Sequence, residues 1–189
     1  MSMTALGEPT IMSPTHWSED AESRLKARGI SLTAFDAPNS ALSFRHPQNW
    51  SVDFREDHAI CKGGASAGSV LIVYPIPNPE GGKGEGLLIA FLDEFVAPGV
   101  QSLNIRRLGL LPGEEGIVGA QFDLTLGGHP NKGIALMAPI NKTPVIVTHW
   151  SQETSFNREE STDLLKATLG SVAFPESSHL VSLAPEASS

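Results

Sequence analysis

The sequence predicts an α+β fold in which one antiparallel β-sheet is flanked by helices. Three observations carry the prediction. Short segments between residues 42 and 152 alternate apolar and polar side chains or run apolar throughout, and they are rich in β-branched and aromatic residues, as strands are. The 18 glycines and 14 prolines punctuate the chain too often for a helical bundle, because each residue type ends helices and sets turns. Over most of this span strand follows strand directly, which favours hairpin meanders over parallel crossovers. With 189 residues, 40% of them hydrophobic, the chain is long enough for one sizeable core and too short for two ordinary ones.

Residues 1–17, with Pro9 and Pro14, follow neither the helical nor the strand period and read as a flexible arm. Ser18 then offers an N-cap oxygen. Glu19, Asp20 and Glu22 sit where a helix dipole favours acids, and Arg24, Lys26 and Arg28 where it favours bases, before Gly29. The expected product is a short polar helix whose thin apolar stripe, Ala21 and Leu25, is solvated or docks on a partner. The chain accordingly divides into an arm at 1–40, an α+β domain at 41–174 and a flexible Ser/Ala/Pro-rich tail at 175–189.

A strand at 42–46 leads through Pro47 to Trp50, and residues 51–54 alternate polar and apolar. Glu56 and Asp57 turn the chain into a brief strand at 59–62, and Gly63, Gly64 and Gly68 surround the next turn. Residues 69–76 are apolar in succession, as expected of a central strand covered on both faces, and Pro75, Pro77 and Pro79 close it. Leu87, Phe91 and Phe95 fall four apart with Leu88, Leu92 and Val96 alongside, so a helix is expected at 87–96 with Asp93 and Glu94 outside. Strands follow at 103–111, 116–126, 133–139 and 145–152. Asn157 stands three residues before Glu160 in capping-box spacing, and Leu164, Leu165, Ala167 and Leu169 complete the signature of a helix at 158–169. Residues 171–174 are expected to add an edge strand. Trp50 and Trp150 are expected to be largely buried, Trp50 near Pro47 and the C-terminal helix.

The formal net charge of −8 opposes binding to nucleic acid or to an anionic membrane surface. No stretch approaches the roughly 18 to 20 apolar residues of a bilayer span, and residues 1–16 lack the basic and apolar regions of a secretory signal. The single cysteine, Cys61, cannot close an intramolecular disulfide. A cytoplasmic protein is expected.

The six histidines, His16, His46, His58, His129, His149 and His179, show no metal-ligand spacing. His149, beside Trp150 on a strand, reads as a hydrogen-bonded structural histidine, since a general base needs an orienting partner and none is evident. Cys61 precedes Lys62, whose charge would favour a thiolate, yet it reads as a buried strand residue. No G-x-S-x-G elbow occurs. The loop Gly81, Gly82, Lys83, Gly84, Glu85, Gly86 precedes a helix and could present N–H groups to a phosphate, but it lacks the Walker spacing, has no Ser or Thr after Lys83, and places Glu85 where an anion would sit. It reads as a connector. The acid pairs Asp93/Glu94, Glu114/Glu115 and Glu159/Glu160 are sequence neighbours that project apart, so they form no catalytic dyad. No residue is assigned a catalytic, cofactor-binding or metal-binding role.

Phe44, Pro47 and Trp50 on the opening strand, a hairpin, an apolar strand ending in prolines, a helix, a meander and a C-terminal helix closing on Leu169-Gly170-Ser171-Val172-Ala173-Phe174 form an order that resembles the Mog1/PsbP-like fold. That group includes PsbP-related accessory proteins of photosystems, a nuclear-transport factor, bacterial lipoproteins and DUF1795-type small cytosolic chaperones. The resemblance spans residues 41–174 and implies an α/β/α sandwich. It also implies a non-catalytic role in binding another protein, as an accessory subunit, chaperone or assembly factor, without a cofactor. The expected surface is a sheet face or edge, with the terminal arms as further anchors dispensable for folding. Two alternatives stand beside it: a small-ligand or lipid carrier with its pocket between the sheet and the helix at 87–96, and a hydrolase in which His149 meets a distant carboxylate.

Overall fold

The structure, a computed structural model, describes residues 14–63, 68–76, 84–110 and 116–175. The chain begins with helix α1 (Pro14–Ala27), then the hairpin β1 (Leu32–Asp36) and β2 (Ser43–Pro47), followed by strands β3 (Ser51–Arg55), β4 (His58–Lys62) and β5 (Val70–Pro75). Helix α2 (Gly84–Phe91) continues through a π turn at Leu92–Val96 and a 3-10 turn at Ala97–Gly99. Strands β6 (Ser102–Leu110), β7 (Val118–Leu126), β8 (His129–Ile140) and β9 (Thr143–Gln152) follow, and helix α3 (Arg158–Ser171) closes the fold.

Strands β3 to β9 form one antiparallel sheet in the order β3-β4-β5-β9-β8-β7-β6. The α+β architecture read from the sequence is therefore present. Two meanders meet at the β5–β9 pair, and the stretch through α2 carries the chain from the centre to the β6 edge. Positive-φ pairs make the tight turns, Gly127 and Gly128 between β7 and β8 and Asn141 and Lys142 between β8 and β9, as two-residue hairpins of right-handed twist require. The central strand β5 is as apolar and covered as its sequence suggests, with Leu71, Ile72 and Val73 all buried.

Each face of the sheet has its own core. On one face Leu88, Phe91, Leu92 and Val96 of the α2 segment pack on Ile72, Phe122, Leu124, Ala135 and Ile146. Trp150 lies in this layer, buried, with its ring 6.4 Å from Phe122. Gly133 is required there: a β-carbon at that position would overlap the Phe122 ring, which approaches to 2.3 Å. On the other face α1, α3 and the β1–β2 hairpin cover Leu71, Val73, Leu136, Val145 and Val147.

The N-terminal helix departs from expectation. It starts a turn earlier, at Pro14, whose fixed φ suits the first turn of a helix, and Ala21 and Leu25 are fully buried against α3. Polar contacts complete the seam: Ser18 Oγ donates to the Ala167 carbonyl at 3.0 Å, Arg24 pairs with the buried Asp163 at 2.9 Å, and Arg45 reaches Glu22 at 2.7 Å. Gly29, at φ +84°, ends the helix in a Schellman arrangement with Ile30 N–H bonded to Leu25 O and Gly29 N–H to Lys26 O. The helix was expected to be solvated or to dock on a partner outside the domain because its stripe is narrow, yet a narrow stripe suffices where its neighbour is another helix of the same domain and the flanks are ion-paired.

Strand β1 has no counterpart in the sequence reading, and β2 pairs with it, outside the large sheet. Residues 171–174 add no strand: Ser171 ends α3, and Ala173 makes a single bridge to Ser43. Trp50 lies beside Pro47 and Leu164 as expected but is only half-buried and not largely buried, and its ring comes so close to Gly63 that a β-carbon there would sit 3.1 Å from Cε2. The tail at 176–189, the start of the arm at 1–13, and the loop at 77–83 lie outside the described residues.

We propose that the folding unit begins in α1 and not at residue 41. Leu25→Ala should lower stability by about 2 to 5 kcal/mol, the cost of emptying a fully buried leucine site. A chain starting at residue 41 should lose cooperative urea unfolding. An unchanged denaturation midpoint in either protein would return α1 to the status of a solvated arm.

Candidate functional site

Strand alternation places His149 on the α3 face of β9, with Val145 and Val147, while Trp150 points to the opposite core. The His149 ring lies between aromatic neighbours, 6.0 Å from Trp50 and stacked at 6.3 Å on Phe156. Its Nδ1 shares a 2.7 Å hydrogen bond with Ser161 Oγ, from the first turns of α3. Ser161 reaches this point because Asn157 caps α3, its side chain accepting from Glu160 N–H at 2.9 Å as the capping spacing suggests. Burial lowers the His149 pKa from 6.5 to about 4, so the ring is neutral at pH 7. Such an imidazole is a weak base, and Ser161 is its one hydrogen-bond partner among the described residues. A carboxylate that would orient it for proton abstraction does not contact it.

Beside this pair a cavity of about 250 Å³ opens, lined on its apolar side by Leu25, Ile30, Pro47, Trp50 and Leu164. Ser69, Ser151, Ser155, Asn157 and Glu160 complete the wall.

A second feature lies on the same face, where α3 leaves β6 and β7 uncovered beyond the edge of the α3-covered strand β8. A groove of about 340 Å³ runs between these strands and the start of α3, lined by Arg106, Arg107, Gln121, Asp123, Lys132 and Arg158, with the partly exposed Phe156 along it and the buried Ile134 at its floor. A bulge between Ile105 and Arg107 breaks the β6–β7 register and leaves consecutive arginines exposed. Arg106 pairs with Asp123 at 3.4 Å and Lys132 with Glu153 at 3.9 Å, both in solvent. Arg107 and Arg158 have no ion-pair partner among the described residues. Arg158 also lines the adjoining depression with Arg24 and Arg28, so six of the chain's thirteen basic residues border this region.

The remaining sequence candidates are scattered. Cys61 is fully buried in β4 and burial pushes its thiol up to about 12, which leaves it an unreactive core residue. His46 is buried, its Nδ1 2.8 Å from the Pro47 carbonyl, and burial lowers its pKa. His58 stacks among Tyr74 and Phe95 and contacts Asp57 at 2.9 Å, and His129 is exposed at the start of β8. His179, Glu114, Glu115 and residues 81–83 of the glycine loop lie outside the described residues, as does the side chain of His16. Gly84 to Gly86 form the first turn of α2. Among the described residues no three His, Cys, Asp or Glu side chains gather closely enough to hold a metal ion, and no helix is long and apolar enough to cross a membrane. The space between the sheet and α2, where a carrier's pocket was expected, is filled by Leu88, Phe91, Leu92 and Val96, none more than 5% exposed. Sequence reasoning missed Ser161, Arg107 and Arg158. The adjacent arginines 106 and 107 inside a strand of an acidic chain were the signal, because strict alternation would have buried one of them.

No protein-family model and no curated protein matches the sequence. Solved structures do. The Ran-binding protein Mog1p of Saccharomyces cerevisiae superposes with a TM-score of 0.53 at 7% identity, over 77% of this chain and 96% of that one. A point mutant of the protein Mog1 gives 0.54 at 8% identity, over 76% and 96%. At this identity the likeness establishes a Mog1-like fold.

The depressed His149 pKa makes stability pH-dependent. The unfolded histidine takes up a proton near pH 6.5 that the folded one refuses until about pH 4, so stability is complete above about 6.5 and falls as the pH drops toward 4. The slope is at most about 1.4 kcal/mol per pH unit. Between pH 7 and pH 5 the wild type should lose about 2 kcal/mol more than His149→Gln, measured by urea unfolding. His46 contributes in the same direction, so the variant retains part of the dependence. Parallel losses in both proteins would mean that His149 titrates normally.

Proposed function

We propose that the protein acts by binding another protein through the open basic face of β6 and β7, with Lys132 of β8, beside α3, and not by catalysis. The observation that carries this reading is the pair of exposed arginines, Arg107 and Arg158, which have no ion-pair partner among the described residues and line one groove with Phe156 in a chain of net charge −8. Unpaired arginines concentrated on one face of an acidic molecule favour an acidic polypeptide segment, which they can meet with forked, charge-assisted hydrogen bonds. The surrounding negative charge disfavours a long phosphate backbone, whose repulsion acts along its whole length. Phe156, partly exposed among the arginines, supplies an aromatic contact in the groove, as anchors inside an arginine rim do at interfaces. The bulge in β6 and its exposed arginines blunt the sheet edge, so the face and not strand addition is the mode of recognition.

The fold agrees with this reading, since the yeast protein it resembles is described as Ran-binding and has a protein for a partner. Fold alone does not assign function. The neutral, buried His149 supports a binding role over the hydrolytic alternative.

The double variant Arg107→Glu/Arg158→Glu should keep its melting temperature within a degree or two, because both side chains are exposed and have no ion-pair partner among the described residues. Partner capture from native lysate should fall at least about tenfold, and lysine cross-links from the wild type to the partner should fall on Lys132 in the groove. Equal capture by both proteins, or cross-links on Lys62 at the far side of the sheet, would contradict the proposal.

A further inference from the structure

We propose that the cavity between Trp50, His149 and α3 is a binding site for a small neutral aromatic ligand that carries a carbonyl-type acceptor. The site is distinct from the basic groove and does not depend on its role. The wall divides by chemistry: Pro47, Trp50, Ile30 and Leu164 offer flat and branched apolar surface, while His149 and the serines offer hydrogen bonds. A volume of about 250 Å³ lies just below the usual range for ligand pockets and fits one substituted ring.

The donor is set by Ser161. Its hydroxyl is buried, and its one hydrogen bond as a side chain is to His149 Nδ1 at 2.7 Å. Donation from Oγ to Nδ1 satisfies the buried hydroxyl hydrogen, whereas the reverse assignment would leave that hydrogen without an acceptor. The imidazole hydrogen then resides on Nε2, which has no partner among the described residues. His149 is 7% exposed, so an N–H left unbonded in this apolar setting is a stronger donor toward a ligand than it would be in water. Glu160 on the wall opposes an anionic ligand. An acceptor on a ring stacked against Trp50 meets both demands.

Benzamide is the probe, with aniline, a neutral ring of similar size without a carbonyl acceptor, as its counterpart. In nitrogen–proton correlation spectra of the full chain, benzamide should shift the Trp50 indole resonance saturably, with a Kd on the order of millimolar for so small a molecule. Aniline should bind at least about tenfold more weakly. Ser155→Trp, which places a large ring at the exposed mouth, should abolish the benzamide shift while leaving the melting temperature close to wild type. His149→Phe should weaken binding if it folds, and Arg107→Glu/Arg158→Glu should not change it. The proposal fails if benzamide gives no saturable shift by about 10 mM, if Ser155→Trp binds as well as wild type, or if aniline binds as tightly as benzamide.

Discussion

Helix α3 is covered on two sides, by the sheet beneath and by α1 above, and the arrangement of the whole α1 face depends on that double burial. Leu164, Leu165, Ala167 and Leu169 are at most 4% exposed, and so are Ser161 and Thr168, which a singly packed helix would leave in water. Its polar side chains therefore need partners inside the protein. Ser161 has His149, Asp163 has Arg24, and Thr168 donates to the Arg45 carbonyl at 3.0 Å. Ser171 accepts from the Arg45 amide at 2.8 Å, so both backbone groups of one β2 residue are bound by α3 side chains. This fixes the β1–β2 hairpin against the helix even though the hairpin belongs to a separate two-stranded sheet.

The same constraint places both candidate sites. Held along its length, α3 presents its first turns at the boundary between the covered and open halves of the sheet. Arg158 faces the open half and joins the basic groove, while Asn157, Glu160 and Ser161 face the cavity beside His149. Two surfaces of different chemistry thus share one turn of helix. A polar groove with unpaired arginines suits an acidic polypeptide, and a half-apolar cavity with one buried donor suits a small ring. The opposite face of the sheet carries no such division, because α2 fills its contact with Phe122, Trp150 and their neighbours.

Elements with a strong local signature were legible in the sequence. The Asn157 cap, the apolar run of β5 and the Phe91/Phe95 face of α2 each express in a few consecutive residues the environment they occupy. Leu25 did not, because its burial depends on a helix more than 130 residues away, and a stripe of Ala21 and Leu25 looks the same whether it meets water or α3. Strand β1 shows only Leu32 buried in five residues, too little alternation to register. Ser161 reads as a helix-surface serine until His149 is brought to it from β9. The groove was hidden for the same reason: Arg107 and Arg158 come from separate elements, and their lack of partners is a property of the assembled surface. The sequence marked the fold through periodicity and left the sites, which are made of distant pairs, to the tertiary structure.

The central claim is that α1 and α3 form one cooperative unit with the sheet, and native-state hydrogen exchange measured residue by residue tests it most directly. If the claim holds, the amides of residues 18–27 open only with those of α3 and β9, at the free energy of global unfolding. Exchange of the α1 amides at the rate of a frayed, independent helix, with α3 still protected, would contradict it.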